Sequence, residues 1–350
     1  MTASPAVSDT AIPGAAPAPS DGAVEEPPEG RRRRVLLLLL LLALFVALLG
    51  LAIWYLLFRQ PIPLPTIPGQ TIMPSYSTAI YGAGRPMDVA VTATGDRIYV
   101  GVTSGDNTAR LFDASGTELG LLQPPVSTGA DHAPIYLAVN PVTSEVFVSD
   151  RRAASIYVYD ADGAYQRSFS PPEGVMGWQP LGLWFDGAGN LFVSDVGSTP
   201  NVVRVFDPAG NQVRTYGEGA AMSFPNGVAT DSAGYVYVAD SNNGRLLVFS
   251  PDGALAAQVG RGSGQGNLGL PRGVAVDAQD RVYVVDSSGQ AVFVYATYQA
   301  GETGLEYLGT FGAYGVSNGA FSYPNGVAVD GRGRVYVADS ANNRVQVWSY

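Results

Sequence analysis

Six copies of one pattern fill the chain from Pro86 to its last residue, and each copy opens with a proline followed by an apolar run. The spacings between successive opening prolines are 48, 46, 45, 46 and 53 residues. These prolines are Pro86, Pro134, Pro180, Pro225, Pro271 and Pro324. In the last copy the runs are PNGVAVD (324–330), RVYVAD (334–339) and NRVQVW (343–348). Short β-branched and aromatic runs bounded by turn residues such as Asp, Asn and Gly predict β-strands.

Repeat units of about 40–50 residues with four strands each predict an all-β fold, a six-bladed β-propeller, over residues 74–350. We label the strands of a blade a to d from the centre outward. The sixth copy stops at Tyr350, directly after its strand c, and an unassigned run, Ser77–Gly82, precedes the first copy. This run resembles strand-d endings such as Thr215–Gly217. We therefore expect it to complete the last blade and to remove its exposed edge.

The units resemble NHL repeats, and the resemblance covers about residues 78–350. The fourth copy (PNGVATD, YVYVAD, GRLLVFSPDG) and the sixth copy match nearly throughout. The first two copies depart from the pattern: Gly101 stands where the others end in Asp, and Asn140-Pro141 replaces the usual turn. The resemblance implies an extracytoplasmic sensor domain, as in bacterial membrane kinases, or an interaction domain. Six-bladed relatives also include calcium-dependent lactonases, histidine-dependent peptide-amidating lyases and RNA-binding tripartite-motif proteins.

A run of 24 residues without a charge, Val35–Phe58, predicts a transmembrane helix before the repeats. At 1.5 Å per residue it reaches about 36 Å, more than the ~30 Å thickness of a hydrocarbon core. Trp54 and Tyr55 lie near its far end, where interfacial aromatic residues belong. The length argues against a cleaved signal peptide, whose apolar region spans about 7–15 residues and ends in a small-residue site.

Four arginines, Arg31–Arg34, directly precede the apolar run, and only Arg59 closely follows it. The positive-inside rule then predicts a single-pass plasma-membrane protein with a cytoplasmic N-terminus and an extracellular or periplasmic propeller. Residues 1–30 are expected to be a disordered cytoplasmic tail, and residues 59–73 a proline-rich, extended linker. Because the chain would enter the propeller at a strand d, we expect the c–d turns to point to the bilayer and the d–a and b–c loops to point away.

The amino-acid composition excludes several classes of function. Cysteine is absent, which excludes thiolate metal sites and cysteine nucleophiles. The single histidine, His132, cannot form the multi-histidine site of the amidating lyases, and its loop position predicts an exposed, inert side chain. The net charge of −10 repels phosphate backbones, so nucleic acid is not an expected partner.

The residues after each proline are expected to ring the mouth of the central channel, on the face of the d–a and b–c loops. Five of them would converge there: Asp88, Tyr136, Asn226, Arg272 and Asn325. Mixed polar groups at a concave point predict a small-ligand site; the alternative is a merely hydrated opening. No cofactor is expected unless the lactonase resemblance holds, which implies calcium bound by Asp88, Asn226 and Asn325.

Long d–a loops on the same face carry apolar side chains, namely Met176, Trp178, Met222 and Tyr314. Loops on a rigid scaffold concentrate binding residues. Exposed Trp, Met and Tyr side chains suit a protein or peptide interface. The alternative is that these side chains cover the ends of the blades.

An aspartate closes strand b in five copies: Asp150, Asp195, Asp240, Asp286 and Asp339. Because they occupy equivalent positions in different blades, they are not expected to converge on one metal. We expect each carboxylate to bind the backbone of the following b–c loop. The recurring arginines Arg204, Arg245 and Arg344 are expected to be structural partners by the same logic.

These observations predict a membrane-anchored, extracytoplasmic binding, scaffold or sensing module. Its partner would be a protein, peptide or glycan at the face away from the membrane. The alternative is a calcium-dependent, lactonase-like hydrolase with its site at the channel mouth.

Overall fold

A computed structural model of the chain describes residues 28–58, 72–105, 107–125, 132–169, 174–262 and 264–350. The predicted tail up to residue 27 and the predicted linker over residues 59–71 lie outside the described residues. The chain divides into two compact units, the first containing a helix and the second the β-strands.

The helix α1 (Pro28–Phe58) contains the whole predicted apolar run. It begins seven residues before Val35, so the arginine cluster and the last residues of the predicted tail are helical. Proline suits the first helical turn, because its missing N–H would have no partner there. The segment Arg33–Leu51, with a mean hydropathy of 2.9, makes this helix long and apolar enough to cross a membrane.

The second unit consists of six four-stranded antiparallel sheets, which are the blades of a β-propeller. Blade six combines β1 (Ser75–Tyr81) with β22 (Pro324–Val329), β23 (Val335–Asp339) and β24 (Arg344–Ser349). Blade one comprises β2 (Pro86–Val91), β3 (Arg97–Val102), β4 (Ala109–Asp113) and β5 (Glu118–Leu122). Blade two comprises β6 (Pro134–Val139), β7 (Val146–Asp150), β8 (Ser155–Tyr159) and β9 (Tyr165–Phe169). Blade three comprises β10 (Pro180–Phe185), β11 (Leu191–Asp195), β12 (Val202–Phe206) and β13 (Gln212–Tyr216). Blade four comprises β14 (Pro225–Thr230), β15 (Val236–Asp240), β16 (Arg245–Phe249) and β17 (Leu255–Val259). Blade five comprises β18 (Pro271–Val276), β19 (Val282–Asp286), β20 (Ala291–Tyr295) and β21 (Tyr307–Phe311).

Blade six is closed by the two ends of the propeller sequence. β1 pairs antiparallel with β24, from Ser75 opposite Ser349 to Tyr81 opposite Arg344. This confirms that the run before the first repeat supplies the missing strand d. Ile80 of β1 also lies in an apolar cluster with residues of blades six and one. Main-chain hydrogen bonds and apolar contact therefore both close the ring, and the edge of β24 is covered.

The core lies between the blades. Val89 of blade one packs in a cluster with Tyr336 of blade six, whereas the next residue, Ala90, packs with Leu137 of blade two. Successive side chains of a strand point to opposite faces, so each inner strand serves both neighbouring interfaces. The inner strands of the six blades surround the central channel.

Blade one differs by one residue from the sequence alignment. Pro86 lies opposite Val102, just as Pro134 lies opposite Asp150. Val102, and not Gly101, therefore occupies the aspartate position, and the assignment of Gly101 was wrong. Gly101 is needed for another reason, because a Cβ there would lie 2.4 Å from the carbonyl oxygen of Ile135 in the next blade.

The Asn140-Pro141 departure in blade two preserves the a–b turn. Oδ1 of Asn140 accepts the N–H groups of Val142 at 2.9 Å and of Thr143 at 3.2 Å. An Asn side chain can make the same local turn contacts as Asp, so this blade keeps its geometry.

Candidate functional site

The aspartates that end the second strands hold the loops of one face. The Asp339 carboxylate accepts the N–H of Ser322 at 2.7 Å and the Nε–H of Arg344 at 2.9 Å. Backbone N–H groups donate in the same way to the other four: Asp150, Asp195, Asp240 and Asp286. The predicted bond to the backbone of the following b–c loop is confirmed for Asp150, Asp195 and Asp286. Asp240 and Asp339 accept instead from the side chains of Asn243 and Asn342 in that loop. The predicted structural role of the arginines is confirmed for Arg204, Arg245 and Arg344. Each carboxylate also binds the preceding d–a loop, so both loop types are fixed from one point.

His132 is mostly buried and partnered, so the expectation of an exposed side chain was wrong. Its Nδ1 lies 2.9 Å from Oδ2 of Asp150, and its ring meets Tyr157 edge-on at 6.1 Å between centroids. Blade two has Ser155 where blade six has Arg344. The imidazole therefore takes the place beside the aspartate that arginine fills in other blades.

The central channel contains a cavity of about 800 Å³. Its lining begins at the second residue after the proline in five inner strands and at Val327 in blade six, and it runs to the a–b turns, where it includes Asn140, Asp277 and Asp330. The cavity thus opens on the face of the a–b turns. At the opposite end the side chains of Leu181, Asn226 and Asn325 are buried. The open mouth expected on the d–a and b–c face is therefore closed by packing.

The five predicted channel residues divide into two groups. Asp88 and Tyr136 line the cavity, whereas Asn226, Arg272 and Asn325 do not. Tyr136 donates its O–H to Oδ1 of Asn226 at 2.9 Å, which links blades two and four across the closed end. Among the described residues, Oδ1 of Asn325 and Nε of Arg272 are buried without a hydrogen-bond partner.

Asp88 is a buried acid, with 8% of its surface exposed. Its Oδ2 accepts the N–H of Leu137 at 3.0 Å. Burial raises the pKa of Asp88 to about 7, although the backbone N–H groups of Leu137 and Val89 act to lower it. Among the described residues, the groups that act on this pKa are backbone N–H groups and not cationic side chains.

The residues at the closed end do not fit a calcium ion, which favours several oxygen ligands with more than one carboxylate. Asp88 is the only acid of the three proposed ligands, and one of its oxygens already accepts a backbone N–H. Oδ1 of Asn226 accepts the Tyr136 hydroxyl. In the described part of the chain, no group of three or more His, Cys, Asp or Glu side chains could hold a metal. No lactonase step through calcium follows from this geometry.

Two of the four predicted interface residues are buried, so their expected exposure was wrong. Trp178 is 4% exposed and meets Phe206 edge-on at 6.2 Å between ring centroids. Met222 is also buried, in a cluster with Tyr216 and Phe249. Both side chains cover the ends of the blades, which was the alternative interpretation.

Met176 and Tyr314 are exposed, and Tyr314 lies on a loop with two further exposed apolar side chains. In the loop of residues 313–323, Tyr314 is 78% exposed and Val316 is 81% exposed, and Tyr323 is exposed as well. Val316 and Tyr323 were not singled out from the sequence, although three apolar residues in one d–a loop are a visible signal. Scattered exposed apolar residues are ordinary, but a group on one loop marks a candidate interaction surface.

Hydrogen bonds from Arg344 and within the loop fix the backbone of residues 313–323. Arg344 donates from Nη2 to the carbonyl oxygens of Ser317 at 2.7 Å and Ala320 at 2.9 Å. Within the loop, Gly315 N–H donates to the carbonyl of Phe321 at 2.9 Å, and the Phe321 ring is buried against Trp348. The exposed side chains are therefore presented on a fixed backbone.

Six four-stranded blades around one channel define the chain as a six-bladed β-propeller. Three of its repeats match the NHL repeat family, over residues 222–249, 268–295 and 321–348, which lie in blades four, five and six. The three matched segments extend into the strands a to c of these blades, where the sequence pattern is most regular.

Known proteins resemble parts of this chain or its fold. A stretch of 38 residues is 53% identical to the B-box type zinc finger protein ncl-1 of Caenorhabditis elegans, and it covers 11% of this chain and 4% of that protein. A streptogramin B lyase structure superposes with a TM-score of 0.55 at 13% identity, over 80% of this chain and 99% of the lyase. Catalytically inactive virginiamycin B lyase from Staphylococcus aureus, with quinupristin, gives 0.55 at 12% identity, over 78% of this chain and 98% of that one. At these identities the likeness concerns the fold alone.

Proposed function

We propose that the protein is a membrane-anchored binding module whose NHL propeller holds a protein or peptide partner outside the cytoplasm. The observation that carries the proposal is the 313–323 loop, where Tyr314 and Val316 are largely exposed on a backbone fixed by Arg344. Aromatic side chains on rigid supports give contact area with little loss of conformational entropy. A pre-organised apolar loop of this kind suits a protein surface better than a soluble small molecule.

The anchor is helix α1, which we propose crosses the plasma membrane once over residues 35–58. Its apolar segment Arg33–Leu51 is long enough for a hydrocarbon core. The flanking cluster Arg31–Arg34 supports a cytoplasmic N-terminus by the positive-inside rule. The propeller would then lie in the extracellular or periplasmic space.

Topology can be tested by single-cysteine labelling, because the natural chain contains no cysteine. We expect Glu302→Cys, on an exposed loop of the propeller, to react with a membrane-impermeant maleimide in intact cells. Ser8→Cys in the tail should react only after the membrane is permeabilised. The reverse pattern would place the propeller in the cytoplasm and would refute the proposed topology.

Partner binding can be tested by photo-cross-linking in the native cell. With benzoylphenylalanine in place of Tyr314 in the full-length chain, we expect a discrete, protease-sensitive adduct. Val316→Ser together with Tyr323→Ser should reduce its yield at least ten-fold, because both exposed apolar contacts are removed. The matched control carries the cross-linker at Leu255, an exposed apolar residue on an outer strand.

Three outcomes would contradict the proposal. Equal adducts at Tyr314 and Leu255 would show non-specific proximity. An adduct that resists protease but is cleaved by glycosidases would indicate a glycan partner. Absence of an adduct at Tyr314, with correct topology established by labelling, would show that the 313–323 loop is not an interface.

A further inference from the structure

The NHL scaffold requires small residues where the inner strands approach each other. The second residue after the proline is glycine in four blades: Gly182, Gly227, Gly273 and Gly326. A Cβ on Gly182 would lie 1.7 Å from the carbonyl oxygen of Asn226, and one on Gly273 would lie 2.6 Å from that of Asn325. The fourth residue is alanine in five blades: Ala90, Ala138, Ala229, Ala275 and Ala328. Glycine at the second position and alanine at the fourth are therefore the residues that the repeat pattern itself favours in an inner strand.

Three side chains depart from this rule, and all three line the same cavity. Asp88 and Tyr136 replace the glycine in blades one and two, and Trp184 replaces the alanine in blade three. These blades are consecutive, so an acid, a phenol and an indole stand on one half of the channel wall. Trp184 is partly exposed, and its Nε1–H donates to Oγ1 of Thr230 at 3.0 Å, which fixes the ring. The three departures therefore form one group of side chains on the cavity wall.

The charge of the cavity is negative. Its lining includes five carboxylates and one guanidinium, namely Asp88, Asp96, Asp162, Asp277, Asp330 and Arg97. Three of these acids pair with arginines, Asp277 with Arg281, Asp330 with Arg334 and Asp162 with Arg97. Asp96 is held by threonine hydroxyls at the rim, and in the described part of the chain no arginine forms an ion pair with Asp88 at the closed end. The two remaining carboxylates give the cavity a net negative charge, which concentrates ligands of the opposite sign.

We propose that the central channel binds an organic cation, with its ammonium group held by the Asp88 carboxylate and its apolar body placed between the walls that carry Tyr136 and Trp184. A buried carboxylate without a counter-ion is stabilised by a cation that reaches it. Aromatic rings attract ammonium groups and are the usual walls of sites for them. The volume of about 800 Å³ lies in the range of pockets that bind drug-sized ligands. This site is independent of the proposed partner surface, because it opens on the opposite face of the propeller.

The test uses the purified full-length chain in detergent and three defined probes. Phenethylamine and benzyltrimethylammonium supply primary and quaternary cations, and 2-phenylethanol is the neutral counterpart of phenethylamine. Calorimetry at pH 8, where the Asp88 carboxylate is charged, should show binding of at least one cation and at least ten-fold weaker binding of the alcohol. Tryptophan fluorescence should change on binding, since Trp184 lies on the wall.

Two variants and a control localise the binding. Asp88→Asn keeps the shape of the side chain and should lower the affinity for the bound cation at least ten-fold. Trp184→Ala introduces the residue that the other five blades have at this position and should lower the affinity several-fold. Glu302→Gln removes the same charge from an exposed loop and should leave the affinity unchanged. Thermal melting of each variant establishes that it is folded.

The proposal is overturned by any of three results with folded protein. Neither cation binds, or the alcohol binds as tightly as the amine, or Glu302→Gln weakens binding as much as Asp88→Asn. Calcium binding by the natural chain that is lost in Asp88→Asn, without binding of either ammonium probe, would also overturn it in favour of a metal site. None of these results bears on cross-linking at Tyr314, so the two proposals fail separately.

Discussion

Replacing Asp339 with alanine is expected to destabilise the propeller by about 3–5 kcal/mol, because it leaves the Arg344 guanidinium buried without its carboxylate. Asp339 is fully buried and also accepts the N–H of Ser322 and the Nδ2–H of Asn342. The carbonyl oxygens of Ser317 and Ala320 that Arg344 holds would lose a fixed donor. Urea denaturation of the full-length chain in detergent measures the loss of stability.

The matched control is Asp286→Ala in blade five. Asp286 occupies the same repeat position and is also buried, but it accepts backbone and serine groups, and Ala291 stands opposite it where Arg344 stands opposite Asp339. Its loss should cost about 1–3 kcal/mol, the usual range for unsatisfied buried hydrogen-bonding groups. Equal losses in the two variants would show that the buried guanidinium adds nothing. Asp339→Ala should also lower the yield of the Tyr314 adduct, because the 313–323 loop would no longer be fixed.

The repeat pattern was sufficient to predict the number of blades, their strand order and the closure of blade six. Each inner strand begins at a proline, and each second strand ends at an aspartate in five blades, so the register follows from the sequence. The error in strand register, at Gly101, arose where a strand is a residue longer and the aspartate is replaced by Val102. Periodic apolar runs determine strands because every blade buries both of its faces.

The site was less predictable because loop side chains carry no periodicity. Trp178 and Met222 follow the same kind of loop sequence as Met176, yet they fold back onto Phe206 and Phe249. Which end of the channel is open depends on how the side chains after the prolines pack, and spacing alone does not determine that. Trp184, in contrast, could have been found by comparing the six copies position by position.

Asp88→Asn is expected to make the propeller more stable at pH 8 and to leave its stability nearly unchanged at pH 4. In the unfolded chain the Asp88 carboxyl loses its proton near its ordinary pKa of 3.8, whereas burial raises its pKa to about 7 in the fold. Between these values the folded state holds a proton that the unfolded state has lost. The contribution of this group to the free energy of unfolding is therefore greatest below about pH 4, declines as the pH rises, and is lost above about pH 7.

The interval between the two pKa values corresponds to about 4 kcal/mol as an upper bound. The asparagine variant should gain up to this amount over the natural chain at pH 8, as measured by urea denaturation at pH 4, 6 and 8. Glu302→Gln, on an exposed loop, should show no such pH-dependent difference. Equal destabilisation by Asp88→Asn at all three pH values would mean that the carboxyl side chain is structurally required whatever its charge, for example as the acceptor of the Leu137 N–H. A gain that grows with pH would instead show a charge kept at a cost in stability, which is typical of residues retained for binding.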